Sequence, residues 1–471
     1  MVSPESTSSR RLAMFLDGTW DLLPDACTNV KRMKALVAPV GFSGVEQVVY
    51  YEGGVGFIER VVGGVVPVGV DVQIKEAYSW LMESYQDGDE LFLFGFSRGA
   101  YSANCLAGML DECGLLSGTS PLTVDQLYQR YRQSNDPSNP ISHATKRVID
   151  EAPPERYTIR DNFAEYSLRK YSKTVTITYI GLLDNVAPSG IPLGSFRNVS
   201  SSTLAFRRVG MCANVLSARH ALALDEFRQS FRPTLWIVAK GECERIHDPD
   251  LPRSPSAHCF ADRIEQRWFS GSHSNVGGGY PNDALQQISM VWIMEGAERA
   301  GLAFRQAEPI VVDECIVSPV VDSRSSALFG IYQYVPVIGA PNFRAIGEAG
   351  TPDVENVNET IDVSVFKRWQ TDPTYRPANL VKWASDRRID LSTAIPATRH
   401  ACSGVPVNGC RTPASADRKS TFWTIKPEAG TGLGSRVGSM SELQDPPAKD
   451  VDGRKIGKRA RQPQSPASAT Q

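Results

Sequence analysis

ELFLFGFSRGAYSANCLAGML, Glu90 to Leu110, is the stretch whose reading decides the fold. Glu90 to Phe96 is almost entirely apolar and follows the turn Gln86-Asp87-Gly88-Asp89, as in a strand buried on both faces of a parallel sheet. Gly99 to Gly114 reads as a helix ended by its last glycine. Other segments repeat the theme. Leu12 to Leu16 is a short apolar run closed by Asp17-Gly18, and Val175 to Leu182, Leu235 to Ala239 and Gln266 to Phe269 are further β-rich runs. Val72 to Tyr85 places apolar residues at 74, 77, 78, 81, 82 and 85, the spacing of a helix with one core-facing stripe. Strands alternating with helices predict an α/β fold: a mostly parallel central sheet with helices on both faces.

The 471 residues carry 50 basic and 52 acidic side chains, a net charge of −2, which excludes a strongly basic nucleic-acid binder. A hydrophobic content of 41% is enough to build a core. Nine cysteines, an odd number with no C-x-x-C pair, argue against a disulfide framework and a zinc ribbon. Neither a signal peptide nor a membrane-spanning run is expected: the apolar run Val61 to Val70 is glycine-broken and far shorter than the roughly 20 residues a bilayer requires. The expected location is the cytoplasm where the chain is made, or export by a system that needs no signal peptide. The expected layout is a flexible N-terminus at 1–10, a catalytic domain at 11–383 with a cap or insertion at 117–172, a C-terminal extension at 384–424 and a disordered tail at 425–471. Within the insertion, Leu127, Tyr128 and Tyr131 stand at helical spacing, either as an apolar cover for a substrate chain or as ordinary packing.

The chemistry centres on GFSRGA, Gly95 to Ala100, which fits G-x-S-x-G between a buried strand and a helix. A nucleophile there sits on a tight, strained turn with its Oγ clear of the sheet, and glycines two before and two after Ser97 remove side chains that would collide. The helix start offers free N–H groups to a developing oxyanion, with the Arg98 N–H one natural donor. A serine needs a base and an orienting acid, which follow in the order Ser, Asp or Glu, His in α/β-hydrolases. Of six histidines (143, 220, 247, 258, 273 and 400), His273 alone follows a short strand inside a glycine-rich loop, WFSGSHSNVGGGY. His220, in RHALALDEFR, reads as a structural histidine on a helix shared with Asp225 and Glu226, which are expected to pair with Arg228 or other neighbours. Asp184 closes TVTITYIGLLD, and a carboxylate at the carboxyl end of a central strand lies where α/β sheets bind ligands. The candidate catalytic residues are therefore Ser97, Asp184 and His273. Asp17, Gly18 and Thr19, in the DGTW loop after the first strand, join Arg98 as candidate oxyanion hole and site wall. No HExxH, P-loop or intact Rossmann fingerprint appears, and no metal or cofactor is expected.

Several longer motifs resemble, in order, an α/β-hydrolase domain family that includes the Tle-type phospholipase effectors of bacterial type VI secretion. They are FLDGTW (15–20), TNV (28–30), YYEGGVG (50–56), AYSWLMESYQDGDELFLFGFSRGAYSANCLAGML (77–110), YIGLLDNV (179–186), RHALALDEFRQSFRPTLW (219–236), RWFSGSHSNVGGGY (267–280) and RWQTDPTYRPANL (368–380). The resemblance implies a Ser–Asp–His triad on Ser97, Asp184 and His273, and lipid ester hydrolysis as in the studied members. Three positions depart from the family pattern: Asn275 stands where Asp is usual, Asn185 where Thr is common and Asp21 where Asn is frequent. None removes a member of the triad.

These observations predict a serine hydrolase of acyl esters, a lipase or phospholipase, acting on lipid with transient membrane-surface contact. A secretion spike or an immunity protein is the expected partner of an effector, and nucleic acid is not. Two other classes fit the same residues: an esterase or acyltransferase on a non-lipid ester, and a weakly active hydrolase fold kept as a binding scaffold.

Overall fold

The computed structural model of the chain describes residues 9–18, 27–41, 44–54, 69–134, 163–187, 212, 214–229, 231–239, 263–281, 283–305, 312–326, 342–348, 354–393 and 404–407. The chain divides into two units, Met1–Ala414 and Ser415–Gln471. All described residues lie in the first, so the tail expected at 425–471 falls outside them, as do Thr19 and Asp21.

Twelve strands are described: β1 (Arg11–Leu16), β2 (Gln47–Glu52), β3 (Glu90–Phe96), β4 (Leu115–Leu116), β5 (Ser172–Lys173), β6 (Ile177–Leu183), β7 (Ala218–Ala223), β8 (Ile237–Ala239), β9 (Ile264–Phe269), β10 (Val354–Asn356), β11 (Glu359–Asp362) and β12 (Gly404–Pro406). Eight form the central sheet, in the order β12-β11-β9-β7-β6-β3-β1-β2. Every pair in it is parallel except β11 with β12. β8 and β10 form a separate antiparallel pair, so the β-rich run at 235–239 is a strand outside the main sheet.

The period of two sorts the central strands between two helical layers. Leu12, Met14, Leu16, Leu91 and Leu93 share one core with the helices Gly69–Ser84, Arg98–Cys113 and Val124–Ser134. Ala13, Phe15, Phe92, Phe94 and Phe96 point the other way, onto the helices Asn29–Leu36 and Gln286–Arg299. The Phe15 and Phe94 rings stack at 4.6 Å across β1 and β3. A third core, with Leu222, Trp268, Ile361, Phe366 and Trp383, lies under the helices Val363–Thr371 and Ala378–Arg387.

Two expectations change, and one left open between alternatives is decided. RHALALDEFR begins as a central strand, not a helix, because Ala218–Ala223 is buried along its whole length between β6 and β9; tertiary context overrides the helix propensity of Ala and Leu. Residue 383 is no boundary. The helix Ala378–Arg387 runs through it, and β12, from the stretch read as an extension, adds the last strand to the sheet. In the insertion, Leu127, Tyr128 and Tyr131 are core residues packed with the helices Gly69–Ser84 and Arg98–Cys113, and the Tyr128 hydroxyl donates to Asp71 (2.7 Å). A stripe consumed by packing is not an acyl cover. No described helix is long and apolar enough to cross a membrane.

Candidate active site

β3 passes straight into the helix Arg98–Cys113, and Ser97 is the residue between them, at φ 56°, ψ −121°. An L-residue is strained there, and the surrounding backbone holds it. A Cβ on Gly95 would lie 2.5 Å from Ala100 Cα, and one on Gly99 would run into the Leu16 carbonyl of β1. The two glycines therefore let the helix start press against the ends of β1 and β3. The Ser97 N–H donates to the Leu183 carbonyl at the end of β6 (3.0 Å), which ties the turn to the next strand.

Asp184 follows the last residue of β6, also at positive φ (42°), and His273 opens the short helix His273–Gly277 just after β9. Parallel register brings these strand ends to one edge of the sheet. Ser97 Oγ stands 2.8 Å from His273 Nε2, and His273 Nδ1 stands 2.5 Å from Asp184 Oδ2. With the proton on Nδ1 donated to the carboxylate, Nε2 is left to accept the Ser97 hydroxyl proton. His273 and Asp184 are fully buried, and Ser97 is 4% exposed. The imidazole lies between the Phe96 and Phe231 rings, at centroid distances of 4.7 and 5.0 Å. Burial lowers the His273 pKa below the usual imidazole value, although Asp184 pulls the other way. Burial pushes Asp184 up, but the Arg344 guanidinium and His273 more than offset it and hold the carboxyl well below the usual range.

The sequence model of the catalytic domain of Tle1-like phospholipase effectors of type VI secretion matches residues 10–296, more than half of the chain. The chain belongs to this family. Beyond it, the chain is similar to an uncharacterized protein of Saccharomyces cerevisiae, 26% identical over 307 residues, which cover 58% of this chain and 41% of the yeast protein. Two solved structures resemble it distantly. One is an uncharacterized protein from Pseudomonas aeruginosa (TM-score 0.36, 16% identity, 64% of this chain and 48% of that one). The other is the Tle1 effector bound to the VgrG spike of the type 6 secretion system (TM-score 0.33, 12% identity, 69% of this chain and 78% of that one). The chain thus spans about two fifths of the yeast protein's length and about half of the Pseudomonas protein's.

In this Tle1-like chain Gly18 stands against the serine: a Cβ on it would lie 3.0 Å from Ser97 Cβ. Asp17 is committed to structure. Its Oδ1 accepts the Gly18 N–H (2.8 Å), and its Oδ2 accepts the Thr28 and Tyr51 hydroxyls (2.5 and 3.0 Å). The Gly18 N–H therefore points at Asp17 in this structure and not at an oxyanion position. Thr19 lies outside the described residues. Arg98 is the first residue of the helix after Ser97, as expected of an elbow.

His220 sits on β7, fully buried, with its Nε2 accepting the Asn185 N–H (3.0 Å) and its Nδ1 facing Gln266 Oε1 (3.4 Å). Burial lowers its pKa to about 4, so it is a neutral prop for the Asp184–Asn185 turn. Asn275 explains one departure from the family pattern. Its Oδ1 accepts the Ser272 N–H (3.1 Å) and the Val321 N–H (3.0 Å), while its Nδ2 donates to Asp283 Oδ2 (3.0 Å). A carboxylate at 275 would face Asp283 with like charge, whereas the amide satisfies both sides.

Sequence reasoning missed two neighbours. Glu226 is expected from the sequence as a structural partner of Arg228 or other neighbours, with no link to the site. It accepts the Arg228 N–H and Nε–H (2.8 and 2.9 Å) and the Ser323 hydroxyl (2.8 Å), and also the His273 backbone N–H (3.2 Å). Arg344 drew no attention, because no motif surrounds it and its partners are far away in sequence. Its Nη1 and Nη2 donate to Asp184 Oδ1 and Oδ2 (2.6 and 3.0 Å). A cleft of about 410 Å³ lined by Tyr85, Leu115, Leu116, Lys170, Tyr171 and Lys173 among others lies beside β4 and β5, toward the amino ends of the strands. It holds none of the candidate residues. Among the described residues, no group of three His, Cys, Asp or Glu is placed to hold a metal ion.

Proposed function

We propose that the chain is a serine hydrolase that cleaves carboxylic esters of phospholipids through an acyl-enzyme. The observation that carries the reading is the hydrogen-bonded chain Ser97–His273–Asp184 on a strained strand-to-helix turn. Ser97 Oγ attacks the acyl carbonyl carbon while its proton passes to His273 Nε2. Collapse of the tetrahedral intermediate breaks the ester C–O bond, and His273 returns the proton to the departing alcohol. Water then attacks the acyl-enzyme by the same route and releases the fatty acid. Asp184 fixes the imidazole tautomer and stabilises the imidazolium; its depressed pKa keeps it ionised throughout. The Arg98 backbone N–H, at the positive end of a 16-residue helix, is the proposed oxyanion donor. Gly18, beside the serine, forms the opposite wall. The lipid substrate and delivery by type VI secretion rest on membership in the phospholipase effector family.

The test is labelling by a fluorophosphonate probe, followed by fatty-acid release from phospholipid vesicles and from short-chain soluble esters. Wild type is expected to label and to hydrolyse vesicles. Ser97→Ala is expected to do neither, with an unchanged Tm. Equal labelling of both proteins overturns the nucleophile. Cleavage of soluble esters alone replaces the phospholipase with a general esterase, and no labelling of either leaves a binding scaffold.

A further inference from the structure

We propose that Arg344 is a positioning residue of this site, whose guanidinium holds both oxygens of Asp184 so that the carboxylate stays ionised and aimed at His273. The proposal rests on the Ser97–His273–Asp184 reading and adds to it a residue that lies beyond the family-matched region, 10–296. Arg344 is 4% exposed and spends its terminal nitrogens on the site. Nη1 donates to Asp184 Oδ1 (2.6 Å) and to the Ala223 carbonyl at the end of β7 (2.7 Å). Nη2 donates to Asp184 Oδ2 (3.0 Å) and to the Phe231 carbonyl (2.5 Å). One planar fork thus links the end of β6, the end of β7 and the loop whose Phe231 ring packs on His273. The segment that carries it is itself fastened to that loop. The Asn342 N–H donates to the Phe227 carbonyl (2.9 Å), and the Phe343 and Phe227 rings meet edge to face at 5.0 Å.

The geometry has two consequences. Asp184 Oδ2 is shared between Arg344 Nη2 and His273 Nδ1, and Oδ1 between Arg344 Nη1 and the Ala223 N–H (3.0 Å). With both oxygens pinned, the carboxylate has one orientation to offer the imidazole. The second consequence is electrostatic. A carboxylate without water needs a paired cation to remain charged. If that cation were His273 itself, the pair would hold a proton and the base would be spent. Arg344 supplies a permanent charge in its place and opposes protonation of the neighbouring imidazole. The other charged or titratable groups around His273 compensate each other or stay neutral: Glu226 is paired with Arg228, and His220 beneath Asp184 is buried and uncharged near neutral pH. Removing Arg344 therefore lets the His273–Asp184 pair take up a proton at higher pH.

The experiment uses the full chain with Arg344→Gln and Arg344→Lys, read by ester kinetics across pH and by NMR titration of His273, with its resonance assigned from His273→Gln. For Arg344→Gln, kcat is expected to fall about 10- to 100-fold with KM within about twofold. The acid limb of kcat/KM and the NMR midpoint of His273 are both expected to move up by about one pH unit. Arg344→Lys keeps the charge and loses the fork. It is expected to lose kcat with the acid limb nearly unmoved, and it stands in if Arg344→Gln fails to fold. An unmoved His273 midpoint in Arg344→Gln, or a wild-type kcat in Arg344→Lys, overturns the proposal. Failure of the triad reading shows separately, as labelling that does not depend on Ser97. In that event the NMR midpoint still decides whether Arg344 governs the pair.

Discussion

The Ser97 turn is written in one continuous stretch, β3 through the helix Arg98–Cys113, whereas its partners arrive from segments around residues 184, 226, 273 and 344. The two halves are also held by different forces. Around Ser97 the restraint is steric and made of backbone: Gly95 against Ala100, Gly99 against the Leu16 carbonyl, and the Ser97 N–H on the Leu183 carbonyl. Around His273 it is a buried array of charges. Asp184 is gripped by Arg344, Glu226 by Arg228, and Asp225 accepts the Gly271 N–H (2.7 Å) and the Tyr375 hydroxyl (2.9 Å). A nucleophile needs only a fixed direction, which sterics supply. A base must carry and release a proton in a dry site, and only compensating charges allow that.

The comparison breaks most visibly at the proton path. His273→Ala and Asp184→Ala are each expected to lower kcat by about 10³-fold or more, and the double variant little further, because the groups act as one unit. Additive losses in the double variant, measured by ester turnover with Tm unchanged, would separate the two residues. Next in size is a purely steric lesion in the other half. Gly99→Ala is expected to cost about 3 kcal/mol or more in chemical denaturation, since a methyl group meets the β1 backbone where nothing flexible can yield. A stable Gly99→Ala protein with full Ser97 labelling would show that the turn does not depend on this close approach.

A smaller effect tests the charge half through pH. In the proposed mechanism His273 must be neutral to act as the base. Because burial lowers its pKa, the acid limb of kcat/KM is expected below the ordinary imidazole value of about 6.5, with activity rising as pH increases through it. An acid limb above that value would mean that Asp184 prevails over burial. The smallest effect concerns His220, a buried histidine held at a pKa of about 4. The unfolded chain takes up that proton near pH 6.5 and the folded chain only near pH 4. Its contribution to stability is therefore complete above about pH 6.5 and is lost as pH falls toward 4. Asp225 works in the opposite sense. Burial raises its pKa to about 6, so the stability it adds is present below the free carboxyl value and is lost as pH rises through 6. The Tm gap between wild type and His220→Gln cancels the Asp225 contribution, and it is expected to narrow from pH 7 to pH 4. A constant gap would show that His220 does not titrate in this window.

Local pattern alone determined the strand–turn–helix at Ser97, the parallel α/β sheet and the glycine that ends the helix, because an apolar run, a period and a glycine pair act within a few residues. The motif order further singled out Asp184 and His273, each beside the end of a recognisable strand, and the structure brings them within hydrogen-bond reach of each other and of Ser97. Tertiary structure decided the rest. β7 reads as a helix until β6 and β9 bury it on both sides, and Leu127, Tyr128 and Tyr131 read equally as cover or packing until two helices are found over them. Asn275 reads as a departure until Asp283 is seen beside it, where an amide is neutral toward a carboxylate that another carboxylate would repel. Arg344 carries no local mark at all. A lone arginine acquires its meaning from the buried charge it meets, and that charge lies 160 residues away along the chain, brought near only when the sheet closes and the water leaves.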